Sequence, residues 1–191
     1  MPTTPMDVLD FWFDAIAQAL WFDNDPAFDA RIRHRFGVVL EAAARGELDD
    51  WAATPGGWLA LLIVLDQFSR NIHRRDARAW AADPKAQAIA LAGIATGDDL
   101  RLSPLQRLFA YLPLEHAEDS ALQRRSVELF EQLLAQSPAT ERVRYEDYLD
   151  YARRHRDVID RFGRFPHRNA ALGRTSTPEE SAYLSGPGSG F

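Results

Sequence analysis

Seven times along this chain a Ser, Thr or Asp stands directly before a proline: Thr4-Pro5, Asp25-Pro26, Thr54-Pro55, Asp83-Pro84, Ser103-Pro104, Ser137-Pro138 and Thr177-Pro178. Each pair suits a helix N-cap followed by the first helical residue. Proline's missing N–H costs nothing there, and its φ is already helical. Thr4 with Asp7 resembles a capping box, and Thr177 with Glu180 matches one more fully. Gly46, Gly97 and Gly163 follow apolar-periodic stretches and read as helix stops. No Asn-Gly or Asp-Gly turn separates alternating segments, so strand signals are nearly absent. The pattern predicts an all-α fold of antiparallel helix pairs, stacked as a solenoid or gathered in an irregular bundle. Helices are expected near 5–20, 26–45, 55–72, 84–96, 104–112, 119–136, 140–162 and 178–184. Pro26, Pro55 and Pro84 are evenly spaced, but the residues between them do not match and no repeat is read.

The 191 residues, 46% of them apolar, suffice for one well-formed core. One domain is expected over 1–184, with 185–191 as a disordered tail. The net charge of −6 disfavours nucleic acid and anionic membranes as partners. That charge is uneven. Between Arg153 and Arg174, seven arginines face Asp157 and Asp160, a local +5 that leaves −11 on the remainder. Cysteine is absent, which excludes disulfides, thiolate metal sites and cysteine nucleophiles, and agrees with a cytoplasmic location. The N-terminus lacks a basic stretch followed by an apolar one, and the longest apolar run, Trp58 to Leu65, is too short to span a bilayer. With 21 arginines and one lysine, base composition accounts for much of the arginine, so an arginine is not by itself a ligand.

Leu9, Trp12, Ile16 and Leu20 fall at helical spacing and read as core. Trp58 to Leu65 is apolar all round, which marks a central buried helix. That helix then turns polar at Asp66, Gln67, Arg70 and Asn71, two i,i+4 pairs on one flank. A polar flank on a buried helix is either satisfied internally, here by an Asp66–Arg70 ion pair, or faces a cavity.

A second cluster is Glu115, His116, Glu118 and Asp119. It reads either as an acidic helix start or as an acid/base histidine with carboxylates that orient it or answer the late arginines. The third is the stretch RFGRFPHRNAALGR, Arg161 to Arg174. Gly163 admits positive φ and Pro166 disfavours helix at Phe165, so a shaped loop is expected. Arg164, Arg168 and Arg174, with Asn169, suit carboxylate or phosphate, and His167 between them suits proton transfer. Thr175 to Thr177 then lead into a helix start, itself favourable to anions. The alternative is that these arginines pair with protein acids such as Asp66, Glu115 or Glu118 and stitch the C-terminus to the core.

No metal and no cofactor are expected. Glu-x-x-His and His-Glu-x-x-His are absent, and Glu115 and His116 diverge by about 100° if both are helical. Gly-x-Ser-x-Gly, Gly-x-Gly-x-x-Gly and Walker sequences are absent as well.

Several stretches together resemble the domain-of-unknown-function family 924. They are VLDFWF from Val8, WF at Trp21, Phe28 to Phe36, GELDDWAATP, LALLIVLDQFSRNIHR, YLPLEHAED and FGRFPHRNAALGRTSTPEE. The resemblance runs from Val8 to about Leu184. It implies an α–α superhelix like that of tetratricopeptide-repeat (TPR) proteins, and no established activity. It includes Asp66, Gln67, Arg70, Asn71, Glu115, His116, Glu118, Arg164, His167, Arg168, Asn169 and Arg174 as motif positions. His73 departs from it, standing where an aromatic is expected.

Three readings follow. The first is a site for a small anionic molecule or peptide carboxylate. In it Glu115, His116, Glu118 and His167 carry acid/base chemistry, and Asp66, Gln67, Arg70, Asn71, Arg164, Arg168, Asn169 and Arg174 bind. The second is a TPR-like peptide-binding scaffold whose polar cluster is structural. The third, RNA binding through 153–174 with Phe162 and Phe165 stacking bases, is opposed by the acidic remainder.

Overall fold

The computed structural model describes residues 2–186. The last residues of the expected tail, 187–191, lie outside the described residues. The described residues form helices and turns without a strand. The elements are α1 (Pro5–Trp12), α2 (Ala15–Gln18), α3 (Pro26–Ala44), α4 (Pro55–Leu62), α5 (Ser69–Ile72), α6 (Asp83–Thr96), α7 (Pro104–Glu115), α8 (Ser120–Gln136), α9 (Arg142–Phe162) and α10 (Pro178–Leu184). A π-helical segment, Ile63–Phe68, joins α4 to α5. The span read as one domain divides into two compact units. One holds the chain up to Arg74 with Arg78–Pro113, the other Arg75–Ala77 with Leu114 onward.

The Ser/Thr/Asp-Pro pairs mark most of the helix starts. Thr4, Asp25, Thr54 and Thr177 each accept a hydrogen bond from a first-turn N–H, and Thr4 and Thr177 complete capping boxes with Asp7 and Glu180. Two pairs behave differently. Ser137 closes α8 rather than opening a helix, and Asp83 lies inside α6, where its carboxylate pairs with Arg70.

In the first unit, Trp58 to Leu65 are all at most 1% exposed, as the unbroken apolar run requires. Around them gather the rings of Phe11, Trp12, Phe28, Phe36, Phe68 and Phe109, with centroids 4.8–6.1 Å apart where they meet. α6 approaches α4 at Gly93, where any Cβ would overlap the Trp58 indole. The helix expected over 5–20 is broken. Phe13 closes α1 and Asp14 caps α2 through the Ile16 N–H at 2.9 Å. The break takes Ile16 out of phase with Trp12, so Ile16 is 62% exposed while Trp12 is buried. Ile16 is therefore not core, because the helix that would carry it in phase with Trp12 stops before reaching it.

In the second unit, α8 and α9 form a helix hairpin joined by a short turn. Its apolar seam takes Val127, Phe130 and Leu133 from α8, and Tyr145, Leu149, Ala152 and Ile159 from α9. Gly163 ends α9 at φ +68°, a conformation a Cβ would strain. The chain then folds back so that Phe165, fully buried, packs with Val158 and Ile159, and the tilted ring of Tyr183 of α10 meets Phe162 at 5.2 Å.

Candidate functional site

The polar flank after Leu65 belongs to the first unit and is satisfied there. Gln67 donates to Asp66 at 2.6 Å. The wider π turn loosens the usual helical ladder, and Arg70 Nη1 donates to the Asp66 carbonyl at 2.9 Å. The Arg70 guanidinium also stands 3.0 Å from the Asp66 carboxylate and grips Asp83 through two bonds of 2.9 and 3.0 Å. Asn71 and Arg74 converge on Asp29, Asn71 at 2.7 Å and Arg74 at 2.7 and 2.8 Å. Burial would raise the Asp29 pKa, but the Arg74 and Asn71 hydrogen bonds outweigh it and hold the carboxyl below its ordinary value. Asp66, Gln67, Arg70 and Asn71 thus form an internal network whose partners, Asp83 and Asp29, lie elsewhere in the sequence.

The other two clusters meet in the second unit. Helix α7 ends at Glu115, with Pro113 inside its last turn, and His116 already lies in the turn that follows. The 100° divergence expected for two helical neighbours therefore does not apply. Gln123 of α8 fixes this turn by donating to the carbonyls of Glu115 and Ala117 at 2.6 and 2.8 Å. His155 of α9 completes the group. Ligating atoms of Glu115, His116 and His155 all lie within 4.8 Å of one another, and the two rings are 6.0 Å apart.

His155 Nδ1 stands 2.9 Å from the Tyr151 carbonyl oxygen and 3.2 Å from Glu115 Oε1. A carbonyl only accepts, so Nδ1 carries the proton in that contact and Nε2 keeps its lone pair. Burial, then the neighbouring His116, pushes the His155 imidazole well below its ordinary pKa, with smaller contributions from Arg168 and His167, against the raising effect of the Tyr151 bond.

The late loop wraps around Phe165. Glu118 accepts the Phe165 N–H at 2.8 Å, and Arg174 donates to the Phe165 carbonyl at 3.1 Å. Arg174 and Glu118 join each other through bonds of 2.6 and 2.9 Å, so the ion pair holds both backbone groups of one residue. Burial would raise the Glu118 pKa; the Arg174 bonds and the Phe165 amide prevail and lower it. Arg164 forks onto Glu180, and Asn169 donates to Ser176 and Glu180 at 3.1 and 3.3 Å. Arg168, buried, spreads its guanidinium 4.4 Å above the Phe165 ring and donates to the His116 carbonyl at 3.0 Å. Half-buried His167 lies with its ring 5.6 Å from Phe165.

Of the sequence-derived site residues, Glu115, His116, Arg168 and His167 therefore gather near His155. Arg164, Arg174, Asn169 and Glu118 are engaged in ties within the loop. Among the described residues, an open depression of about 520 Å³ lies elsewhere, at Pro2, Thr3, Thr4, Asp7 and Arg35, and none of the predicted site residues lines it. His155 was missed because α9 reads as a surface helix with a buried stripe. Its only signal is an imidazole in register with Leu149, Ala152 and Ile159, where an aliphatic residue is the ordinary occupant.

No helix among the described residues is long and apolar enough to cross a membrane. No curated protein matches the chain. A solved structure of a protein of unknown function from Agrobacterium tumefaciens is similar, with 43% sequence identity, a TM-score of 0.85, and 95% of this chain and 96% of that one covered. The family model described as a bacterial protein of unknown function, DUF924, matches residues 8–188. The all-α fold, the late-loop motif and this nearly full-length match place the chain in the DUF924 family.

Proposed function

We propose that the second unit binds a small anionic molecule, a carboxylate or a phosphate, at the cluster of Glu115, His116 and His155, and that His167 transfers a proton to or from it. The observation that carries this reading is the convergence of three ionisable side chains from two helices and a turn onto one point, with Arg168 anchored beside them. The Arg168 guanidinium, held beside the cluster by its bond to the His116 carbonyl, favours an anion there. Gln123 Oε1, on the amide that fixes the turn, is buried without a hydrogen-bond partner, and a polar ligand would satisfy it.

Thermal shift against inorganic phosphate, acetate and a dicarboxylate tests the reading, both with a chelator and with added zinc. A ligand at 100 times its Kd stabilises by about 2.7 kcal/mol. The expected result is a shift for at least one anion that His167→Ala or Arg168→Lys diminishes. A panel without any shift under either condition rejects it.

The alternative is a TPR-like scaffold that binds peptides, with the polar cluster purely structural. Its support is that Arg164 and Arg174, two of the guanidinium groups expected to bind a ligand, are already gripped by Glu180 and Glu118. A peptide captured equally well by wild type and by His116→Ala favours it.

A further inference from the structure

We infer that Glu115, His116 and His155 are the protein ligands of a divalent transition-metal site of the zinc class. The inference rests on the anion-site reading and names what would hold the anion. Two imidazoles and one carboxylate are a donor set suited to zinc, with a position left for a further ligand.

The geometry is close to what coordination requires. Ligand atoms sit about 2.0–2.2 Å from zinc, so two of them are separated by at most about 4.2 Å. The candidate atoms already lie within 4.8 Å of one another, so shifts on the order of 1 Å close them on an ion. The supporting contacts have the form metal histidines use. His155 Nδ1 faces the Tyr151 carbonyl at 2.9 Å and Glu115 Oε1 at 3.2 Å, contacts that fix the ring beside the carboxylate. Gln123 holds the Glu115 and Ala117 carbonyls, so the turn that presents His116 is tied down on both sides. Glu115 and His155 are buried and His116 is half-buried, which makes the His116 side the route of entry.

Arg168 gives the site its bias. Its charge opposes a bare cation and favours a cation that carries an anion. Metal and anion then bind cooperatively, and by linkage each tightens the other by the same factor.

The experiment uses the full chain stripped of metal by chelator and dialysis, then titrated with Zn²⁺ and with Co²⁺. The expected result is one tightly bound equivalent of each, with Co²⁺ developing the visible d–d absorption of a four- or five-coordinate ion. His116→Ala and Glu115→Gln lie at the turn and spare the α8–α9 seam. Each should keep the helical circular dichroism of the wild type and bind about 100-fold more weakly or worse, since loss of an outer contact alone costs 10–100-fold. His34→Ala, on exposed surface of α3, should leave binding unchanged. No stoichiometric binding, or binding that survives both ligand variants, overturns the inference. So does binding lost in His34→Ala, which would show adventitious capture. The two readings fail separately. An anion-induced shift without metal binding removes the metal and keeps the anion site. Metal binding with no anion-induced shift under either condition removes the anion site and keeps the metal.

Discussion

Glu180 closes its carboxylate on the Arg164 guanidinium through bonds of 2.6 and 2.9 Å, while the same carboxylate accepts the Thr177 N–H at 2.7 Å and so caps α10. One side chain thus starts the last helix and ties it to the late loop. The Arg164 bond and then the Thr177 amide, working against burial, lower the Glu180 pKa to about 2. A carboxyl whose folded pKa lies below its unfolded value stabilises the fold above that unfolded value, and the stabilisation is lost as pH falls toward the folded one. Melting temperature should therefore fall between pH 4.5 and 2. The fall should be less steep in Glu180→Gln, and identical slopes for the two proteins would contradict this role.

Gly93→Ala should destabilise the first unit. The added methyl overlaps the Trp58 indole, whose Nε1 donates to the Ile89 carbonyl at 2.8 Å. Overpacking of this kind costs about 1–3 kcal/mol, readable by denaturant unfolding and by a shift in tryptophan emission. Unchanged stability would mean that α6 moves away from α4 without penalty.

Thr54 and Asp83 look alike in the sequence, each preceding a proline, yet they should respond differently. Thr54 accepts the Gly57 N–H at 3.2 Å, so Thr54→Ala loses a cap worth about 1 kcal/mol. Asp83→Asn breaks the grip on Arg70, whose guanidinium is largely enclosed, and should cost about 3 kcal/mol. Equal losses in chemical denaturation would show that Asp83 acts as a cap after all.

Glu118 and Arg174 should couple. A double-mutant cycle of Glu118→Ala and Arg174→Ala is expected to give about 1 kcal/mol, since the pair is partly solvated but also holds the Phe165 backbone. Strict additivity would assign those backbone contacts no energetic weight.

How much of this was legible beforehand differs between features. Capping boxes at Thr4 and Thr177, the buried run from Trp58 and the stop at Gly163 were readable because each depends on residues within one or two turns. The break at Asp14 was not readable, because an apolar period can continue in sequence after the helix carrying it has ended. The Arg70 partner was half visible. Asp66 is local, whereas Asp83 comes from another helix.

Sequence alone determined the all-α class, most helix starts, the stop at Gly163 and the concentration of polar chemistry at Glu115–Glu118 and Arg161–Arg174, because caps, proline φ and apolar period act over a few residues. Tertiary structure decided which of those polar groups meet. It spent Arg164 on Glu180 and Arg174 on Glu118, and it brought His155 to Glu115 and His116. The physical reason is that an ion pair or ligand set depends on separations of a few ångströms between side chains. Those separations are fixed by how α9 packs on α8 and by where the chain turns after Glu115, which no local pattern encodes.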